Sequence, residues 1–352
     1  MVISATPEDA AASIRRATTM KQVAALAGVG TKTVSRVINA EPRVAAETAA
    51  KVWEAIRVLD YHVDMRAGSL RRADGRTRTL GLLVSSVDNP FAGEIHRGVE
   101  DIARARGVAV LAVSLHEDPA REARAVEDFV RRRLDGIILG TTSTDVSHLS
   151  AALTRGMPMV FIDRRPLGLA VDCVTSDNRE AAALATRHLI KRGHRRIAFL
   201  AERPAIRTAA ERHQGFLDAF GEAGIATGEA QIVLGLDGAQ AAEQALGALL
   251  DSDQPPTAVF SSQNLITIGA LKALHSRGLQ HRVALISFDD LELADLLDPA
   301  VTVIRQDSQG MGRVAAERMF RKLDGDQLGP EHIIVPTQLI ERGSGEIAPG
   351  AS

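Results

Sequence analysis

The sequence predicts an all-α helix-turn-helix headpiece joined to an α/β core of two doubly wound, parallel-sheet subdomains. Three observations predict it. Two short stretches of helical periodicity flank a Gly-Val-Gly break between Met20 and Asn39. After residue 79 the pattern changes to short apolar strands alternating with amphipathic helices, which means parallel sheets covered on both faces. And charge is divided unevenly. Residues 18–79 carry eleven Lys/Arg against six Asp/Glu, a net +5, so the rest of a chain of net −2 carries −7. A basic module on an acidic body is the electrostatic footprint of a nucleic-acid binder.

In chain order, residues 1–17 are Ala-rich and polar and are expected to form a disordered tail. Thr18 or Thr19 is placed to cap the first helix, whose apolar face is marked by Val23, Leu26 and Ala27. Gly28-Val29-Gly30 breaks it, with Val29 buried between helices. A second helix over about 31–38 puts Val34, Val37 and Ile38 inward and presents Thr31, Lys32, Thr33, Ser35 and Arg36, all donors suited to phosphates or base edges. A third helix over about 45–60 turns Val52, Ile56, Leu59 and part of Trp53 to the core. On these residues alone, an ordinary helical hairpin with a solvated polar face remains the alternative.

The core pattern gives strands at 80–85, 108–113, 136–139, 158–162, 172–175, 196–200, 232–234, 258–260, 283–287, 301–304 and 333–335. Helices fall between them at 91–106, 119–132, 146–155, 178–192, 208–222, 239–250, 264–276 and 308–322. Ligands in such folds bind outside the carboxyl ends of strands.

Composition excludes several classes. At 352 residues the chain can hold two or three domains. No apolar run reaches a membrane span, and residues 1–17 lack a signal-peptide core, which favours the cytoplasm. The one cysteine, Cys173, permits neither an intrachain disulfide nor a thiolate metal cluster and reads as a buried, inert thiol. No phosphate-binding, nucleotide-binding, serine-hydrolase or zinc-protease motif is present, so an enzyme is not expected, nor a cofactor or metal. His194 in a helix-to-strand turn reads as structural. The adjacent Asp289 and Asp290 could form an acid/base pair, but a hydroxyl acceptor in a ligand pocket is the stronger reading.

The run Ala-Gly-Val-x-x-x-Thr-Val-Ser-Arg-Val-Ile-Asn, the third helix ending at Tyr61, and Ser69-Leu70 resemble the headpiece of the lactose-repressor (LacI/GalR) family. The resemblance runs to about residue 343. It implies a periplasmic-binding-protein-like core and a homodimeric, ligand-responsive regulator, most simply a repressor, on pseudo-palindromic double-stranded operator DNA. It also implies the division 18–62 headpiece, 63–79 hinge helix and linker, and 80–343 core. Within the core it implies one subdomain of about 80–175 plus 305–323 and another of about 176–304 plus 324–343. Residues 344–352 are left as a tail; lacking a leucine-heptad pattern, it favours a dimer over a tetramer.

The resemblance implies site residues position by position. Thr31 and Lys32 stand where operator choice is set, and Arg36 where a base is read. Thr33, Ser35, Asn39 and Thr48 stand where phosphates are held, and Leu70 where a leucine is wedged into the minor groove. Asp88, Asn89, Phe91, Arg164, Arg212, Gln263, Asn264, Asp289 and Gln306 stand at effector positions, and a small-molecule effector of sugar type is expected. The sequence departs from the family pattern at Gly30 (usually serine), at Val63, Asp64 and Gly68 in the hinge, at Ala92 (a second aromatic in purine-binding relatives) and at Asn264 (usually aspartate).

Overall fold

The computed structural model describes residues 18–38, 41, 44–61, 76–143, 145–327 and 329–350. The expected tail at 1–17, Asn39 and most of the hinge with Leu70 lie outside them. The chain forms two compact units, residues 1–77 and 78–352, each treated below by itself.

In the first unit, α1 (Met20–Ala27), α2 (Thr31–Ile38) and α3 (Ala46–Val58) close around Val23, Ala24, Ala27, Val34, Val37, Val52 and Ala55. Gln22 Oε1 accepts the Thr19 backbone N–H at 2.8 Å, holding the start of α1. Gly28 ends the helix at φ 66°, where glycine carries no Cβ penalty, and Val29 N–H returns to Ala24 O at 3.0 Å. Val29 is half-buried, not enclosed. Leu26 and Trp53 depart from expectation: they are 53% and 51% exposed. At about 100° per residue, Val23, Ala24 and Ala27 define a core face that leaves Leu26 a quarter-turn off it. The same rotation carries Trp53 away from Val52, Ala55 and Ile56.

The second unit contains two lobes. The first sheet has the order β11-β5-β4-β3-β1-β2 and the second β12-β10-β9-β8-β6-β7. In the first lobe these strands are β1 (Thr79–Val84), β2 (Ala109–Ser114), β3 (Gly136–Leu139), β4 (Met159–Ile162) and β5 (Asp172–Ser176), completed by β11 (His332–Val335). The second has β6 (Ile197–Leu200), β7 (Gln231–Val233), β8 (Ala258–Ser261), β9 (Ala284–Phe288), β10 (Thr302–Arg305) and β12 (Gln338–Ile340). All pairings are parallel except β10 with β12. The central strands are apolar and enclosed, as parallel strands covered on both faces must be.

Helices cover both sheets. The first lobe carries α4 (Pro90–Ala105), α5 (Pro119–Arg131), α6 (Ser150–Thr154) and, after the chain returns from β10, α11 (Ser308–Leu323). The second carries α7 (Asn178–Lys191), α8 (Arg207–Glu222), α9 (Ala239–Leu250) and α10 (Asn264–Ser276). Asp118 caps α5 by accepting Ala120 N–H at 2.8 Å, and Pro119 opens it. Glycine sets two helix crossings: a Cβ on Gly98 of α4 would lie 2.1 Å from Gln309 O of α11, and one on Gly215 of α8 would lie 2.0 Å from Arg179 O of α7.

Two expected boundaries are corrected. Residues 324–335 do not belong to the second lobe: β11 pairs in parallel with β5, and Ile333 and Val335 pack on the first lobe's core. The chain therefore crosses between lobes three times, after β5, after β10 and between β11 and β12. Residues 344–350 are not a loose tail. Ser344 is buried, donates to Leu285 O at 2.6 Å and accepts Thr302 N–H at 2.9 Å, while Ile347 O meets His194 Nε2 at 2.8 Å. Small residues let this segment lie close: a Cβ on Gly345 would come within 2.9 Å of Thr302.

Candidate effector cleft and DNA-reading helix

Two strand ends set up the cleft. Asp163 follows β4 and Asp289 follows β9, at equivalent places in the two sheet orders. Both adopt the left-handed backbone region, at φ 67° and φ 72°, sparsely populated for residues other than glycine. Such strain persists only where the surroundings over-determine it, and it clusters at ligand sites. Here the Asp163 N–H is fixed to Val174 O at 2.8 Å and the Asp289 N–H to Ile304 O at 2.9 Å. Both carboxylates reach one cavity of about 570 Å³ lined from both lobes, a size suited to a small organic ligand.

The expected residues fall around it as follows. Asp88 and Asn89, from the β1–α4 turn, and Phe91, in the first turn of α4, form part of the first-lobe wall. Arg164 is buried and holds Glu117 through two parallel bonds of 2.7 and 2.8 Å; a bidentate pair fixes the guanidinium plane as well as its charge. Burial works against the charged guanidinium, but the contacts with Glu117 and the charges of Asp163 and Glu202 together outweigh it and raise its affinity for its proton. Arg212, in α8, is buried beneath the second-lobe wall. Its Nε donates to Asn178 Oδ1 at 2.8 Å, its Nη1 to Ser262 O at 2.7 Å, and its guanidinium lies 3.6 Å over the Phe288 ring.

Three amides are already partly committed. Gln306 accepts from Ser176 Oγ at 2.5 Å and donates to Asp289 Oδ1 at 2.5 Å, so it orients Asp289 at the second crossing between lobes. Gln263 lines the cavity, but its Oε1 caps α10 by accepting Leu265 and Ile266 N–H. Asn264 does not line the cavity; its Nδ2 donates to Asn89 Oδ1 at 2.9 Å, joining the two lobes across the cleft. Asp290 turns the other way, into a bidentate pair with Arg342 at 2.7 Å, so the neighbouring carboxylates do not form an acid/base pair.

The sequence reading did not select Glu117, Asn178 or Glu202. Glu202 stands two residues beyond β6, where the strand-end rule would have found it. Its Oε2 is buried with no hydrogen-bond partner among the described residues, and burial pushes its carboxyl up to about 7. Burial raises Asp163 as well. His194 is buried between Thr257 Oγ1 and Ile347 O, a strut away from the cleft.

In the first unit, α2 exposes Thr31, Lys32 and Arg36, with Thr33 and Ser35 half-buried on its flanks and Thr48 half-buried in the first turn of α3. Arg36 Nε lies 3.6 Å from Glu41 Oε2, with both side chains about half exposed, a pair weak enough to yield to a phosphate or a base. Donors on the second helix of such a pair suit a DNA groove.

The comparisons with known proteins agree with both halves. Residues 19–64 match the model of bacterial regulatory proteins, lacI family, and residues 77–343 that of periplasmic binding proteins and the sugar binding domain of LacI family. The chain is 34% identical over 331 residues to the HTH-type transcriptional regulator GalR of Escherichia coli strain K12, spanning 93% of this chain and 95% of that one. The solved transcriptional regulator CelR–cellobiose complex is 30% identical, with TM-score 0.68 over 93% of this chain and 100% of that one. The lac repressor dimer bound to operator and the anti-inducer ONPF is 24% identical, with TM-score 0.83 over 94% and 99%, and shares the fold.

Proposed function

Because the chain belongs to the lacI family of bacterial regulatory proteins, effector-responsive DNA-binding regulators rather than enzymes, we propose that α2 reads a pseudo-palindromic operator and that a sugar-like effector in the cleft sets the affinity. The protein acts in the cytoplasm as a homodimeric repressor, the twofold of the dimer matching that of the operator. Lys32 and Arg36 read base edges; Thr31 contributes to operator choice; Thr33, Ser35, Asn39 and Thr48 hold phosphates; Leu70 enters the minor groove. The effector's hydroxyls are met by Asp88, Asp163, Glu202 and Asp289, and by the amide hydrogens of Gln263.

The observation that carries this reading is the convergence of charged and amide groups from both lobes on one cavity, with Asn89 and Asn264 already bonded across it. A ligand touching both lobes stabilises one relative orientation over others, and that is how a binding event becomes a conformational signal. The cellobiose in the CelR complex is the precedent for a sugar in this fold.

Operator titrations by fluorescence anisotropy, with and without hexoses, pentoses and disaccharides, test the reading. A sugar that weakens binding is an inducer; one that strengthens it is a corepressor. Arg36→Ala is expected to cost about 1–3 kcal/mol at one base pair per half-site. A uniform loss across operator variants would instead make Arg36 a phosphate contact.

A further inference from the structure

Counting charges around the cavity gives an imbalance. Six carboxylates line it, Asp88, Glu117, Asp163, Glu202, Asp237 and Asp289, against three arginines. The arginines offset the inner carboxylates only in part. Arg164 is occupied bidentately by Glu117, and its Nε, 3.5 Å from Asp163 Oδ2, makes no hydrogen bond. Arg212 directs its bonds to neutral acceptors, Asn178 Oδ1 and Ser262 O, and stacks on Phe288. Arg203 is exposed at the wall. Among the described residues Glu202 Oε2 is left buried with no donor, and a buried acceptor without a donor is costly until something supplies one.

We propose that the effector carries a protonated nitrogen, a polyhydroxylated amine such as an amino sugar, with its ammonium between Glu202 and the carboxylates of the two strand ends. This rests on the cleft being the effector site and deepens that reading. An anionic ligand, a uronate or sugar phosphate, would meet a surplus of like charge. A neutral hydroxyl would supply one hydrogen bond and leave the surplus in place. An ammonium supplies three donors and a compensating charge together.

Protonation of Glu202 gives the arrangement a pH signature. Burial, with Asp289 and Glu117 nearby, pushes its carboxyl up to about 7 against the pull of Arg212 and Arg164. An ammonium beside it favours the ionised form, so binding near pH 7 releases a proton.

Calorimetry of the full chain with matched pairs tests this: D-glucosamine against D-glucose, D-galactosamine against D-galactose, and D-glucamine against D-glucitol. At least one amine is expected to bind about tenfold or more tighter than its neutral partner, about 1.4 kcal/mol. Its heat should depend on the buffer's ionisation enthalpy, as proton release requires. Glu202→Gln, checked for folding by its melting curve, is expected to bring the amine's affinity down to that of the neutral partner. The buffer dependence of the unaltered protein gives the same information should that variant not fold. A neutral partner binding as well as its amine overturns the inference and leaves the sugar-effector reading standing. An amine preference that survives Glu202→Gln, with no proton release, overturns the assignment to Glu202. No binding by either member of any pair, nor by pentoses or disaccharides, overturns both readings.

Discussion

Glu202 and Cys173 show at the residue scale what burial does to ionisation in this fold. The Glu202 carboxyl has a folded pKa of about 7 against an ordinary 4.5. A group whose folded pKa is raised contributes stability that is present below the unfolded value and lost as pH rises through the folded one. The parent protein should therefore lose stability relative to Glu202→Gln as pH rises from about 4.5 to about 7, by up to about 3 kcal/mol at 1.36 kcal/mol per unit. Melting temperatures of the two proteins at pH 5 and pH 8 check this; a parent that does not lose melting temperature relative to Glu202→Gln between the two would contradict it. Cys173 is buried in the first lobe, and burial pushes its thiol up to about 12. Iodoacetamide is expected to leave native protein unlabelled and to modify one thiol in denaturant; rapid native labelling would mean that β5 opens. The inert thiol was legible from one cysteine in a chain with no metal motif. Glu202 was not selected: its place two residues beyond β6 marks it as a strand-end carboxylate, but nothing in Ala-Glu-Arg-Pro shows that it is buried rather than solvated. What distinguishes it is the second lobe wall, built by residues far along the chain.

Periodicity recovered the elements closely. The long helices and central strands lie within a residue or two of their expected positions, because their apolar faces are wide, and α4, α5 and α11 are also capped by the side chains of Asn89, Asp118 and Asp307. The misses are edge elements. β12 has three residues in a mostly polar run, and β11 was assigned to the wrong sheet because its alternation shows that it is an edge strand but not whose edge. Glycines illustrate the same limit. Gly93 and Gly98 both lie in α4, yet a Cβ on Gly93 meets nothing within 4 Å while one on Gly98 meets the α11 backbone. Gly98→Ala should cost about 1–3 kcal/mol, since two helix backbones must separate. Gly93→Ala should be neutral or stabilise by about 0.5–1 kcal/mol through helix propensity. Urea midpoints of the two variants decide it; equal effects would mean that the α4–α11 crossing is looser than described.

For the whole molecule, the division at residue 77 predicts that a 78–352 fragment folds alone and keeps effector affinity while losing operator binding. Retained sequence-specific binding by the fragment would remove the DNA role from the headpiece. In the intact protein, the factor by which effector changes operator affinity must equal the factor by which operator changes effector affinity. Measuring both by anisotropy and calorimetry checks that the two sites are coupled within one equilibrium. That the chain divides into a basic headpiece and a two-lobed acidic core was legible from charge and period. The cross-lobe bond between Asn89 and Asn264 was not, since the two residues lie 175 positions apart.

The three crossings also dictate an order of events during synthesis. The first lobe's sheet lacks its edge strand, and one of its covering helices, until residues 308–335 have been made. A nascent chain of about 300 residues leaving the ribosome thus carries a finished headpiece beside an open first lobe, its β5 edge bare and the α4 face that receives α11 uncovered. Such surfaces attract chaperones or other chains. Truncations shortly before residue 308 should aggregate where those at residue 77 do not, and the repressor becomes competent only when its last few dozen residues have been translated.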